Sequence, residues 1–285
     1  MSSLRALRRR IKSVQNTQQI TKAMEMVAAA KLRRAQIRAT AARPYAAKIS
    51  AMLDRLAGAA ADLDHPLFKA RQVRRTALVL VTSDRGLCGG YNSTLVRAAE
   101  QRLRAAGPGS IQLVLVGRKG RDYFRRRKFP VLATHTPVPA EASLAFAQQL
   151  TQDLIARFLS GEVDRVEIMF TEFISALRRR VVVQAFVPVG AGGAAGATSS
   201  GAILFEPDAE SIVGELLSRY ATAKLFAALA DALASEHGAR MIAMGAARKN
   251  AGELIDLLVL RRNRMRQAGI TKELIEIVGG AEALR

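Results

Sequence analysis

The feature that most constrains this chain is the match between its two ends. Residues 1–48 carry twelve Lys or Arg against one acid, Glu25, and residues 237–272 carry eight against two, Glu253 and Asp256. Together these stretches hold most of the net charge of +20 at pH 7. Their one proline is Pro44, so both are free to form long helices. Two long basic helices around a compact middle describe a shaft with a knob, and that limits the functions worth considering.

Composition narrows the choice further. At 285 residues the chain forms one large domain or two modest ones, either able to bury a core. Its 49% hydrophobic content is rich in Ala, and Ala-rich faces let paired helices approach closely. No run approaches the roughly 20 apolar residues of a membrane span, so no direct membrane insertion is expected. Arg5, Arg8, Arg9 and Arg10 stand where a secretory signal would need an apolar core. The lone Cys88 excludes an internal disulfide and fits a reducing compartment. A chain this basic needs acidic company: nucleic acid, anionic lipid or an acidic protein surface.

Periodicity supplies the architecture. Leu4, Leu7, Ile11 and Val14 follow the seam of a coiled coil within an N-terminal helix over residues 1–63. After the polar stretch from Gln15 to Gln19 the seam is expected to resume at Ile20, Met24 and Val27, and later at Ile49, Met52, Leu53 and Leu56. Pro44 is expected to bend the helix. Residues 74–189 alternate strand signals (76–82, 111–117, 163–173, 181–187) with helix signals (92–106, 120–127, 142–159), which predicts a parallel, Rossmann-like α/β domain. Residues 190–206 read as a Gly/Ala-rich linker. A C-terminal helix within 207–285 carries apolar stripes at Leu225, Leu229 and Leu233, then at Met241, Met244, Ala251, Ile255, Leu258 and Met265. Gly279 and Gly280 are expected to end it.

The search for chemistry returns little. Thr82–Asn92 (TSDRGLCGGYN) sits where a strand turns into a helix, the phosphate-cradling position of an α/β fold. It matches no nucleotide fingerprint and reads as a structural turn or contact loop, and Gly117–Gly120 (GRKG) as a tight turn. His65, His135 and His237 are far apart, and Cys88 has no neighbouring His. No residues have metal-ligand spacing, so no catalytic residue, cofactor or metal is assigned. Two alternatives stay open: an α/β nucleotide-binding enzyme, and a basic coiled-coil protein that binds nucleic acid. Against the second, the basic segments contain a single aromatic residue, Tyr45, and so no stacking platform.

Several segments resemble a known family. Ser13–Lys31 (SVQNTQQITKAMEMVAAAK) resembles the N-terminal signature of the gamma subunits of F-type ATP synthases. TSDRGLCGGYN and GRKG are similar to that family's central domain, and Glu236–Met244 (EHGARMIAM), Asn263–Glu276 (NRMRQAGITKELIE) and Val278-Gly279-Gly280 to its C-terminal signature. The resemblance implies a long antiparallel coiled coil of the N- and C-terminal helices plus a central Rossmann-like α/β domain. It implies a non-catalytic central rotor that transmits torque from a membrane ring of c subunits to a ring of three alpha and three beta subunits. The epsilon subunit would be a further partner, and the place of work the cytoplasmic face of a bacterial inner membrane. Carried over, Lys22, Met24, Arg240, Arg266, Gln267 and Thr271 would touch the alpha/beta ring. Phe205, Glu206 and Asp208 would form the foot on the c-ring and epsilon. Gly269, Lys272 and Lys249 depart from the family's usual residues.

Overall fold

The computed structural model describes residues 4–59, 65–69, 71–189 and 209–282. Its elements follow in the order α1 (Leu4–Ala59), β1 (Thr76–Val81), α2 (Tyr91–Ala106), β2 (Ile111–Val116), α3 (Arg118–Arg126), β3 (Val131–His135), α4 (Leu144–Leu159), β4 (Arg165–Phe173), β5 (Arg179–Val187) and α5 (Ala209–Glu282). They form two compact units, one of residues Ala28–Arg240 and one pairing the start of α1, up to Val27, with α5 from Met241 onward. The linker 190–206 and the foot residues Phe205, Glu206 and Asp208 lie outside the described residues.

In the larger unit, strand alternation sorts side chains onto two faces of one sheet. Ala77, Val79 and Val81 of β1, with Val114 and Val116 of β2, turn toward Leu150, Leu154 and Phe158 of α4 and Leu217, Leu225 and Leu229 of α5. Leu78, Leu80, Leu113 and Leu115 turn the other way, onto Leu95, Ala99 and Leu103 of α2 and Phe124 of α3. Every residue of β1 is buried, as a strand covered on both faces requires.

The strand order is β3-β2-β1-β4-β5, parallel except for β5. The expectation of a wholly parallel sheet is therefore corrected at its edge. Only 174–178 separate β4 from β5, and a parallel crossover needs a dozen residues or more. The strand β3 escaped the sequence reading. It is a short, mostly half-exposed edge strand wedged between Pro130 and Pro137, without the buried apolar run that marks β1 and β2.

One expectation about the long helices is corrected, the stop at Gly279 and Gly280. α1 stays helical through Pro44, and α5 stays helical past Gly279 and Gly280 to Glu282. Glycine lowers helix stability by about 1 kcal/mol without forbidding the conformation, and no proline follows to stop it.

In the smaller unit Leu7 and Ile11 close on Leu258, with Val14, Val259 and Met265 around them. Farther along, Gln18 lies against Gly252 and Glu25 against Gly245. Partner numbers fall as α1 numbers rise, so the pair is antiparallel. The seam of α1 runs through Leu7, Ile11, Val14, Gln18, Thr21 and Glu25, an unbroken alternation of four- and three-residue steps. That corrects the expected resumption: Ile20 is 60% exposed and Val27 is 56% exposed, while Thr21 is buried and Met24 is half-buried. Polar side chains fit the seam because α5 leaves holes for them. A Cβ added at Gly252 would come within 3.0 Å of Gln18 Nε2, and one at Gly245 within 3.1 Å of Glu25 Oε1. Arg248 Nε then donates to Glu25 Oε2 at 2.9 Å. Of the later seam, Ile49 is buried and Met52 exposed; the side chains of Leu53 and Leu56 lie outside the described ones.

Candidate functional site

The place to test for a ligand is the carboxyl end of β1 and β2, where the TSDRGLCGGYN and GRKG segments meet. Thr82 Oγ1 donates to Val116 O at 3.0 Å and accepts from Gly120 N at 2.9 Å, which ties the end of β1 to the start of α3. Gly117 sits at φ 98°, and a Cβ there would overlap the Thr82 carbonyl. The glycines of GRKG thus permit a close backbone crossing. The first amides of α3, which would cradle a phosphate in a nucleotide site, are already taken. Arg118 N donates to Asp84 Oδ1 at 2.8 Å and Lys119 N to Ser83 O at 3.0 Å. The second Asp84 oxygen accepts from Val138 N at 2.7 Å. The chain supplies its own carboxylate where a phosphate would bind.

The loop itself is braced from within. Ser83 N donates to Asn92 Oδ1 at 3.0 Å, and Asn92 Nδ2 reaches Ser83 Oγ at 2.8 Å and Cys88 Sγ at 3.1 Å. Leu87 takes a positive φ of 62° and stands 63% exposed at the tip. Cys88 is buried, and burial pushes its thiol pKa up, with the charge of Glu236 adding to the effect. A buried, protonated thiol is a poor nucleophile. We expect iodoacetamide to alkylate Cys88 in the folded chain at least about tenfold more slowly than in the denatured chain. Equal rates would show the loop to be open.

Of the residues the resemblance assigned to the ring, Arg240 stands apart. Its side chain is 11% exposed and pairs with Glu236 at 2.6 Å. It also donates to Gly86 O at 3.3 and 3.4 Å and lies 3.3 Å from His237 Nδ1. Burial and the Arg240 charge press the His237 pKa down to about 4, so the ring is neutral and accepts. The rest sit in the smaller unit. Lys22, Arg266, Gln267 and Thr271 are exposed, and Met24 is half-buried. Thr271 Oγ1 donates to the main-chain carbonyl of Gln267 at 3.0 Å.

Sequence reasoning named Arg266, Gln267 and Thr271 at the tip of α5 but missed the aliphatic side chains beside them. From Arg266 to Ile277 every residue except Gly269 is exposed, including Ile270 (50%), Leu274 (57%), Ile275 (66%) and Ile277 (68%). The signal was present in the bare composition, since four large aliphatics crowd into eight residues. Among the described residues no helix is long and apolar enough to cross a membrane, and no acid, His or Cys cluster could hold a metal ion.

Two long terminal helices coiled antiparallel, and an α/β sheet whose loops bond to one another at the carboxyl ends of β1 and β2, define a coiled-coil protein with an α/β domain. Comparison with known proteins gives the family. The family model described as ATP synthase matches residues 3–284. The chain is 47% identical over 285 residues to the ATP synthase gamma chain of Moorella thermoacetica, covering all of both chains. It is 44% identical over 291 residues to that of Heliobacterium modesticaldum, again with full coverage. A central-stalk chain of the Tetrahymena thermophila mitochondrial ATP synthase superposes with a TM-score of 0.63 at 26% identity, over 80% of this chain and 99% of that one. A rotor chain of the Euglena gracilis mitochondrial enzyme shares the fold at a TM-score of 0.65 and 19% identity, over 94% and 98%. The chain belongs to the family of ATP synthase gamma chains, the rotor subunits of the central stalk.

Proposed function

We propose that this chain carries torque between a c-ring and an alpha/beta ring, couples ion translocation to ATP synthesis or hydrolysis, and catalyses no reaction itself. The observation that carries this reading is the tip of α5. A helix end with four aliphatic side chains at least half exposed over Ile270–Ile277 is stable in water only at a cost, and it fits a socket in a partner. A second apolar set on the smaller unit, Ile20, Met26, Val27 and Leu257, is more than half exposed and faces away from the seam. Arg266 has no ion pair within the chain among the described residues, and neither has Arg8, Arg9, Arg261 or Arg264. A shaft turning inside a ring needs both features: an apolar bearing at its tip, and positive charge for acidic loops to meet at any rotational angle.

In this reading Lys22, Met24, Arg266, Gln267 and Thr271 form the ring contact. Arg240, most of whose N–H groups are bonded inside the chain, acts at a distance from it. The foot residues Phe205, Glu206 and Asp208 would meet the c-ring and epsilon, and the complex would work on the cytoplasmic face of a bacterial inner membrane. The test is biochemical. Purified alone, the chain is expected to hydrolyse no ATP above background. Co-expressed with alpha and beta subunits, it should co-purify as a single copy per ring. ATP turnover by the contaminant-free chain, or rings assembling without retaining it, would refute the proposal.

A further inference from the structure

An open α/β sheet binds ligands beyond the carboxyl ends of its strands, at the point where the strand order reverses. In the order β3-β2-β1-β4-β5 that point lies between β1 and β4, beneath the loops 82–90 and 174–178. In this chain α5 occupies it, from Ala232 to Arg240. Tyr91 Oη donates to Ala232 O at 3.2 Å, and the fully buried Ser235 Oγ donates to Thr171 O at 2.9 Å. Gly238 lets the helix backbone pass so near the β4–β5 turn that an added Cβ would touch the Phe173 ring at 3.6 Å and Ala176 Cα at 3.7 Å. One turn from Glu236, Arg240 closes the contact by holding that carboxylate and the Gly86 carbonyl together.

The polar ties of α1 within the same unit are of another kind. Arg34 and Arg38 pair with Glu141, and Arg38 Nη1 donates to Ala142 O at 3.1 Å, all at side chains 43–72% exposed. Water screens such pairs and they contribute little, whereas buried charge-assisted hydrogen bonds are strong. Direction matters as much as strength. Apolar contacts slide past one another at little cost, but a hydrogen bond is lost when its angle changes. A helix held by buried, directional bonds on consecutive turns resists rotation about its own axis.

We infer that the crevice where a sheet of this topology would bind a ligand serves here as a socket for α5. Arg240 is its positioning residue, keying the 82–90 loop to the helix, and load passing along α5 enters the sheet at this socket. The inference rests on the rotor reading above and assigns the load path within it.

The test uses the assembled complex and reads ions pumped per ATP hydrolysed, a ratio that loss of yield alone does not move. Arg240→Ala is expected to lower this ratio, because the charge-assisted bonds that fix the angle of α5 are lost. A cross-link inside the chain should then replace the lost key. In Gly238→Cys with Ala176→Cys the two positions come within disulfide reach. In the Arg240→Ala background, oxidation of this pair is expected to restore the ratio, and dithiothreitol to abolish it again. A contact between Arg240 and the ring would not be restored by that bond. Tyr91→Phe with Ser235→Ala removes two buried hydroxyls without new cysteines and is expected to lower the ratio in the same direction. A native ratio in Arg240→Ala or in the hydroxyl double variant overturns the inference, as does a cross-link that forms without restoring coupling. A wild-type assembly that pumps no ions overturns the rotor reading instead.

Discussion

Replacing Ile270, Leu274 and Ile277 together by Gln is expected to leave the free chain as stable as before and to weaken its retention by an alpha/beta ring about 100-fold. All three side chains are at least half exposed, so removing their apolar atoms costs the isolated chain little. Gln keeps a helix propensity close to that of the residues it replaces, which keeps α5 intact. Within a socket, each aliphatic side chain would contribute roughly 1.5–3 kcal/mol of burial, and about 1.4 kcal/mol is a factor of ten in affinity. With half of that burial realised, the sum is about 2–4.5 kcal/mol, a range centred slightly above two decades. The measurement is the amount of chain co-purifying with the ring, beside circular dichroism and melting of the chain alone. Native retention with an unchanged melting curve would mean that the tip touches nothing.

Gly117→Ala is expected to destabilise the α/β unit by about 3–5 kcal/mol, against about 1–2 kcal/mol for Gly109→Ala. Both residues have positive φ, 98° and 79°, so both substitutions carry the strain of a left-handed residue. Only Gly117 adds a collision: its Cβ would overlap the Thr82 carbonyl and sit 2.8 Å from Thr82 Oγ1, whereas at Gly109 nothing lies within 4 Å. Backbone cannot swing aside as a flexible side chain can. The loss would fall where β1 meets α3, at the base of the braced loop. Urea unfolding of the two variants gives the comparison, and equal midpoints would show that the crossing relaxes freely.

Much of this architecture was legible in the chain itself. The runs TALVLV and IQLVLV are strands because β-branched and leucine residues alternate over a span too short for a helix. The stripe Met244, Ala251 and Leu258 on α5 is buried as its spacing predicted. The signature segments at both ends carry the family resemblance in the sequence alone. The edge strand β3 was less legible, because half-buried residues between prolines carry no apolar period. The direction of β5 was implicit in the short 174–178 connection, but strand propensity says nothing of direction.

Only the tertiary structure decided which residues of α1 form its seam and which groups of the chain Arg240 bonds. Apolar pattern pointed to Ile20 and Val27, yet the helix buries Thr21 and half-buries Gln18 and Glu25 instead. The reason lies more than 200 residues away, where Gly245 and Gly252 leave the room that those polar side chains fill. In the same way, the resemblance places Arg240 against the ring, while within the chain the fold turns that guanidinium onto Glu236 and the Gly86 carbonyl. Hydrophobicity and propensity are local and can be read along the chain. The holes, carbonyls and carboxylates that a side chain meets are set by packing between distant segments, and no single stretch of sequence contains them.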